Sequence, residues 1–417
     1  MVFKVSFASV IPLGAGSHNC GYVFCGVFSS LRLPVLADMF ATVIGLWRMQ
    51  RIRFFDIAKG IAILAVILGH SAIEANLCIP HRAAQVAISF CFSFHMPLFF
   101  ILAGYFMHPE RAFRWAKESR QLLCTYAVTT LCVLVGVTCM ATLHHESRAL
   151  ALQTWGMTAL YGNGDVSNLT LWPVGFRIGA IWFLLAMFWV RLLLHIFAKL
   201  PHTVFWVAAC FVFGYISSRY VCLPWSVQSG MCAVAFLYLG YLAKKYDVLG
   251  RMKGIPYIWV AALLIWIIDV VSFGGMSMAM NDYGLHPVLA VVGSMAGTLC
   301  VIGVSQLLDH MFLGGLSKLG QASLAILCVH LVEDDVLPWQ MYLGFLRAAF
   351  PHVPLVLLSF IVRLPIDLVG AALLYRVPVI NEWFYPQLVK QRQLRRSKAM
   401  SQARVPCGEW LFCVFFM

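Results

Sequence analysis

Ten apolar windows of roughly 20 residues, each long enough to cross ~30 Å of hydrocarbon, constrain this chain more than anything else in it. They begin near Phe55, Ala84, Arg120, Arg177, His202, Ser226, Ile255, His286, Leu319 and His352. No soluble core needs so much apolar surface: 61% of the residues are hydrophobic and 11% are charged. Because the connections are mostly short, the expected fold is all-α, a polytopic membrane bundle of about ten transmembrane helices. The longest stretch without a clear span, about 141 to 176, holds Gly162, Asn163, Gly164, Asp165, Asn168 and Pro173. It reads as a polar loop with a surface helix near Trp155.

Lysine and arginine accumulate in cytoplasmic loops, and here alternate loops differ sharply. With the N-terminus inside, the inner segments collect Arg48, Arg51, Arg53, Lys59, Arg111, Arg114, Lys117, Arg120, Lys199, Lys244, Lys245, Arg251, Lys253 and Lys318, and the tail from Arg376 to Arg404. Outer loops hold Arg82, Arg148, Arg177, Arg219 and Arg347. This places both termini in the cytoplasm of a multi-pass plasma-membrane protein. It also accounts for most of the net charge of +13 without nucleic acid, the basic tail lying against anionic headgroups.

Three regions follow. Residues 1–48 form an N-terminal extension without a clean apolar window or a basic lead, so a secretory signal is not indicated, and Met49 reads as an alternative start. Residues 49–376 form the membrane domain, and 377–417 a basic cytoplasmic tail. Residues 406–417 are apolar but too short to cross, and no role is assigned to them.

The 14 cysteines are scattered through apolar spans with no Cys-x-x-Cys pair, so they read as small apolar groups rather than a disulfide framework. His144-His145-Glu146 lies in an outer loop, where adjacent side chains do not converge. No metal is expected. Gly293-Ser-Met-Ala-Gly297 fits the small-xxx-small pattern of close helix packing.

The chemistry begins with His70 and His95, because a titratable ring inside hydrocarbon is costly unless something uses it. Packing against a neighbouring helix is the simpler account of such a ring, and it fits His95 better than His70. Lys59 stands eleven residues before His70, about 16 Å along a helix axis and on nearly the same face. A charged group at the cytoplasmic mouth thus shares a face with a base deeper in the bilayer, although a snorkelling anchor serves Lys59 equally well. The second span runs the opposite way and brings His95 to a similar depth, followed by Pro97, which loosens the helix there. Arg111, Arg114, Lys117 and Arg120 at steps of three would form a cationic stripe on a helix. Guanidinium forks suit phosphate oxygens, so the stripe can hold a phosphorylated donor, or simply anchor the inner leaflet. Trp182 and Phe183, near the outer end of span four, read as an interfacial belt or as a sugar-stacking wall, the belt being the simpler.

Together Asp56-Ile-Ala-Lys59-Gly60, the run to Gly69-His70, Phe94-His95-Met96-Pro97-Leu98-Phe99-Phe100 with Ala103-Gly104-Tyr105, Ile181-Trp182-Phe183-Leu184, and Leu319-Gly320 with Ser323 through His330 resemble the membrane acyltransferase-3 family. The closest branch is similar to the fucose 4-O-acetylase-like sugar O-acetylases, and the resemblance covers about residues 51 to 375. It implies a bundle of about ten transmembrane helices. It implies transfer of an acetyl or related acyl group from cytosolic acetyl-CoA, or another acyl-CoA, to a hydroxyl of a sugar or cell-surface glycan, hence envelope or exopolysaccharide modification. The family's basic residue, ten residues and histidine fall on Lys59 and His70, with lysine where many members have arginine. Its Arg-x-x-Arg, associated with the acyl donor, falls on Arg111 and Arg114.

On that resemblance Lys59, Arg111 and Arg114 bind the donor, while His70 is general base on the acceptor hydroxyl or takes the acyl group itself. His95 orients His70 or donates to the oxyanion. His330 and Trp182 are the acceptor-side residues. Glu74, one turn beyond His70, is a candidate for fixing its tautomer but stays outside the catalytic set. Arg363 and Asp367, one turn apart in span ten, are expected to neutralise one another. The rival class is a transporter or flippase for a glycan or small polar solute. Such proteins often show paired halves with broken helices, and the Asp56 to His70 pattern has no repeat in the second half of the chain.

Overall fold

The structure is a computed structural model describing residues 52–377, except 253, 273–275 and 312–313, together with 380 and 384. The expected extension 1–48 and nearly all of the tail 377–417 lie outside the described residues. Helices carry almost all of what is described: α1 (Arg53–Cys78), α2 (Arg82–Tyr105), α3 (Trp115–Leu143), α4 (Arg148–Tyr161), α5 (Trp182–Phe197) and α6 (Thr203–Ser217) come first. After them come α7 (Val227–Lys245), α8 (Pro256–Val271), α9 (Pro287–His310), α10 (Gly314–Val336), α11 (Trp339–Ala349) and α12 (Leu355–Arg376). A two-stranded hairpin, β1 (Met276–Ser277) against β2 (Asp282–Tyr283), lies between α8 and α9.

Among the described residues eight helices are long and apolar enough to cross a membrane: α1, α2, α3, α5 taken with the turn before it (Gly179–Phe197), α7 taken with the turn before it (Pro224–Lys245), α9, α10 and α12. They coincide with eight of the ten windows. The other two windows are α6 and α8, of 15 and 16 residues, which reach only about 22 and 24 Å. Helix length therefore accounts for eight of the ten expected crossings. The chain is an all-α, multi-pass membrane protein. Its outward faces are apolar, as at Val204, Phe205, Val212 and Phe213 on α6 and Leu263, Leu264, Ile267 and Ile268 on α8. Its titratable groups turn inward, Asp56, His70, His95, His330, Glu333, Arg363 and Asp367 all being buried. That inversion is what hydrocarbon solvent demands.

α1 sits at the centre, packed on α2, α9, α10 and α12. Two close crossings set the frame. A Cβ at Gly60 would strike the Leu316 carbonyl, and one at Gly320 the Asp56 carbonyl, so α1 and α10 meet backbone to backbone. Gly104 and Gly240 do the same for α2 and α7, against Leu237 and Ile101. Gly293 and Gly297 of the expected packing motif face Asp269 and Trp266 of α8, which is the close helix contact that motif describes. α2 runs unbroken through Pro97.

The expected surface helix near Trp155 is α4, capped by the Ser147 hydroxyl, which accepts from the Leu150 N–H, and ended by left-handed Gly162. Trp155 stacks on Phe176 at 5.2 Å. The cationic stripe expected at helical spacing does not form. Residues 106–114, with Arg111 and Arg114, are non-helical, and α3 starts only at Trp115, so the two arginines are exposed on a loop instead of sharing a face with Lys117 and Arg120. This loop is tied to the end of α5 by the His195 ring against the Pro109 carbonyl, and Glu118 beyond it by an ion pair to Arg191 at 2.5 Å.

Candidate active site

His70 lies eight residues from the end of α1, about 12 Å along the axis, where α2, α10 and the segment before α5 converge. It lines an open pocket of about 530 Å³, counting the space open to solvent, together with His95, Phe92, Met96, Arg177, Trp182 and residues 164–165 and 276–279. The two histidines expected to share a cavity do share one. Trp182 is 4% exposed and faces this pocket, so the interfacial-belt account is corrected: the indole is held inside by Phe100 and Phe183.

The group that orients His70 is Asp334, not Glu74 or His95. Asp334 Oδ2 is 3.3 Å from His70 Nδ1, which as the donating N–H leaves Nε2 with a free lone pair. Glu74 instead accepts from Gln340 at 2.5 Å and sits 3.9 Å from Arg177. His95 Nδ1 donates to the Cys91 carbonyl at 2.5 Å. A carbonyl can only accept, so Nε2 of neutral His95 is an acceptor as well, which disfavours the oxyanion-donor role expected for it.

Behind His70 lies a buried charge network. His330 stands edge-on to the His70 ring at 5.1 Å, with Nδ1 2.8 Å from Glu333 Oε1 and 3.0 Å from Asp367 Oδ2. Arg363, fully buried, donates from Nε to Glu333 at 2.8 Å and from an Nη to Asp334. Arg177 reaches Asp334 Oδ2 at 3.5 Å from the pocket side. The expected Arg363–Asp367 neutralisation is thereby replaced by pairs across helices: Arg363 holds Glu333 and Asp334 of α10, and Asp367 holds His330. His330 itself is completely buried and backs His70 rather than forming the pocket wall.

Two sets of donor atoms, His70, His330 and Asp334, and His330, Glu333 and Asp367, each lie within 4.8 Å of one another. Spacing along the chain did not reveal them, since their members come from α1, α10 and α12. Arg363 stands among these acids and Arg177 reaches Asp334 as well, positive charge that an ion at these sets would have to tolerate at close range.

Lys59, the expected donor residue of α1, is 30% exposed at the helix's opposite end, 3.9 Å from Asp56. Sequence reasoning missed Asp334, Glu333 and Arg177 as parts of the site. One signal was present: His330, Glu333 and Asp334 at i, i+3 and i+4 share a helix face in a segment too apolar to carry them idly.

No curated protein and no solved structure gives a match to this chain. A family model, described as an acyltransferase domain, matches residues 52–376, nearly the whole described bundle. With its spans, its imidazole–carboxylate pair and its pocket, the chain belongs to the acyltransferase-3 family and is a membrane acyltransferase.

Proposed function

We propose that the protein transfers an acetyl or related acyl group from cytosolic acyl-CoA to a hydroxyl of a sugar or cell-surface glycan. The observation that carries the reading is His70, lining the pocket with its Nδ1 engaged by Asp334 and its Nε2 available. In the step, the acceptor oxygen attacks the thioester carbonyl carbon as His70 Nε2 takes the hydroxyl proton. The C–S bond then breaks, and the proton passes to the departing thiolate. Asp334 stabilises the transient imidazolium and is itself balanced by Arg363 and Arg177. Arg177, at the pocket wall, supplies positive charge for the developing oxyanion. Trp182 offers an apolar face for a sugar ring. The donor is held at the basic end of the bundle by Lys59, Arg111 and Arg114, and its extended thiol arm rises along α1 toward His70. The acceptor arrives from the other end, past 164–165 and 276–279. The favoured orientation has the basic end in the cytoplasm of the plasma membrane.

Incubating the purified protein in lipid discs with radiolabelled acetyl-CoA and candidate glycans tests the reading. Acyl transfer that disappears in His70→Ala supports it. Movement of a glycan across vesicles without acylation, or full transfer by His70→Ala, would sink it.

A further inference from the structure

The basic end of the bundle carries a constellation that joins the expected donor residue Lys59 to two residues outside that set. Phe106, the first residue beyond α2, is 44% exposed and is held from behind by Phe55 and Tyr105, each edge-on at 5.5 Å. Two ammonium groups from different helices converge on its ring, Lys59 of α1 and Lys244 of α7, each with Nζ 5.8 Å from the centroid. Lys244 is also 5.7 Å from the Tyr105 ring. The convergence is built by the backbone contact of α2 with α7 at Gly104 and Gly240. A lysine that only anchors a helix spreads its ammonium outward into the headgroups. Here two lysines are drawn inward over one exposed aromatic ring.

We propose that Phe106, Lys59 and Lys244 form the seat for the nucleotide end of the acyl donor, the base stacking on Phe106 and the phosphates lying between the two ammonium groups. The proposal rests on the acyl-CoA reading above and adds Phe106 and Lys244 to it. An aromatic face flanked by cations suits a base carried on phosphates, and ammonium groups act on phosphate as point charges without demanding bidentate geometry. The buried carboxylate of Asp56, 3.9 Å from the Lys59 ammonium, fixes one of the two. From this seat the thiol arm runs along α1 toward His70, about 16 Å away along the axis. A lipid phosphate is the other source of the same charge, but it brings no base to stack.

The test uses the full-length protein in phosphatidylcholine discs and two probes, coenzyme A and adenosine 3′,5′-bisphosphate, by calorimetry. Both are expected to bind, with Phe106→Ala and Lys244→Gln each weakening both by about tenfold or more and Lys245→Gln, whose ammonium lies over Tyr241 and Tyr246, leaving both unchanged. Pantetheine, which lacks the nucleotide, is expected to be indifferent to either substitution. Coenzyme A binding that ignores Phe106 and Lys244 overturns this seat while the acyl-CoA reading stands, and absence of any coenzyme A binding overturns both. If the bisphosphate fails to bind in neutral discs and Lys244→Gln instead reduces retention of anionic lipid, the site is a headgroup contact and the proposal fails.

Discussion

Asp334 illustrates how much one side chain can decide. It touches His70, Arg363 and Arg177 at once, so its charge both selects the His70 tautomer and counterbalances the imidazolium formed during transfer. Asp334→Asn keeps the shape and removes the charge, so kcat is expected to fall about 10²- to 10⁴-fold with little change in KM for the donor, measured by acyl transfer in lipid discs. An unchanged kcat would remove Asp334 from the mechanism. Arg363 belongs at the same scale. Replacing it by leucine leaves Glu333 and Asp334 buried without their guanidinium, and loss of one partner of such a pair costs roughly 3–5 kcal/mol. A clear drop in thermal midpoint in detergent is expected for Arg363→Leu. Retention of the wild-type midpoint would mean the network does not hold α10 to α12.

At the scale of elements, helix contacts place the reacting groups. α1 supplies Lys59 at one end and His70 toward the other, and α10 sets His330 and Asp334 beside it. Their separation is governed by the crossing at Gly60 and Gly320, where a carbonyl occupies the place of a side chain. Gly320→Leu must push the helices apart, at roughly 1–3 kcal/mol for forced repacking, and moves Asp334 away from His70. The expected outcome is loss of both thermal stability and transfer. Gly344→Leu on α11, where a Cβ meets nothing within 4 Å, is expected to leave both intact. Equal damage from the two substitutions would contradict the packing argument. The surface helix expected near Trp155 is present as α4. The expected cationic stripe failed at 106–114 because steps of three between cations say nothing about whether the chain there is helical.

For the whole molecule, the basic end and the pocket end lie on opposite sides of the bundle, which is what a transferase needs if donor and acceptor occupy different compartments. Single-cysteine variants at Arg114 and Leu171, made in a background lacking the native cysteines, are expected to differ in labelling by a membrane-impermeant thiol reagent on intact cells. Leu171 lies in the exposed polar loop and should react, while Arg114 should react only after lysis. The reverse pattern would invert the proposed orientation and the path of the donor with it.

Apolar run length and charge asymmetry determined, without any coordinates, that this is a helical membrane bundle, because solvation of the backbone by hydrocarbon leaves a chain few alternatives. The same logic singled out His70 and His95, since a polar ring in an apolar run stands out one residue at a time. Tertiary structure alone decided what partners His70. Asp334 is 264 positions from His70, and Arg363 pairs across helices rather than with the Asp367 one turn away. A buried charge takes whichever partner the packing brings within reach, and that depends on helix crossings a linear pattern does not encode.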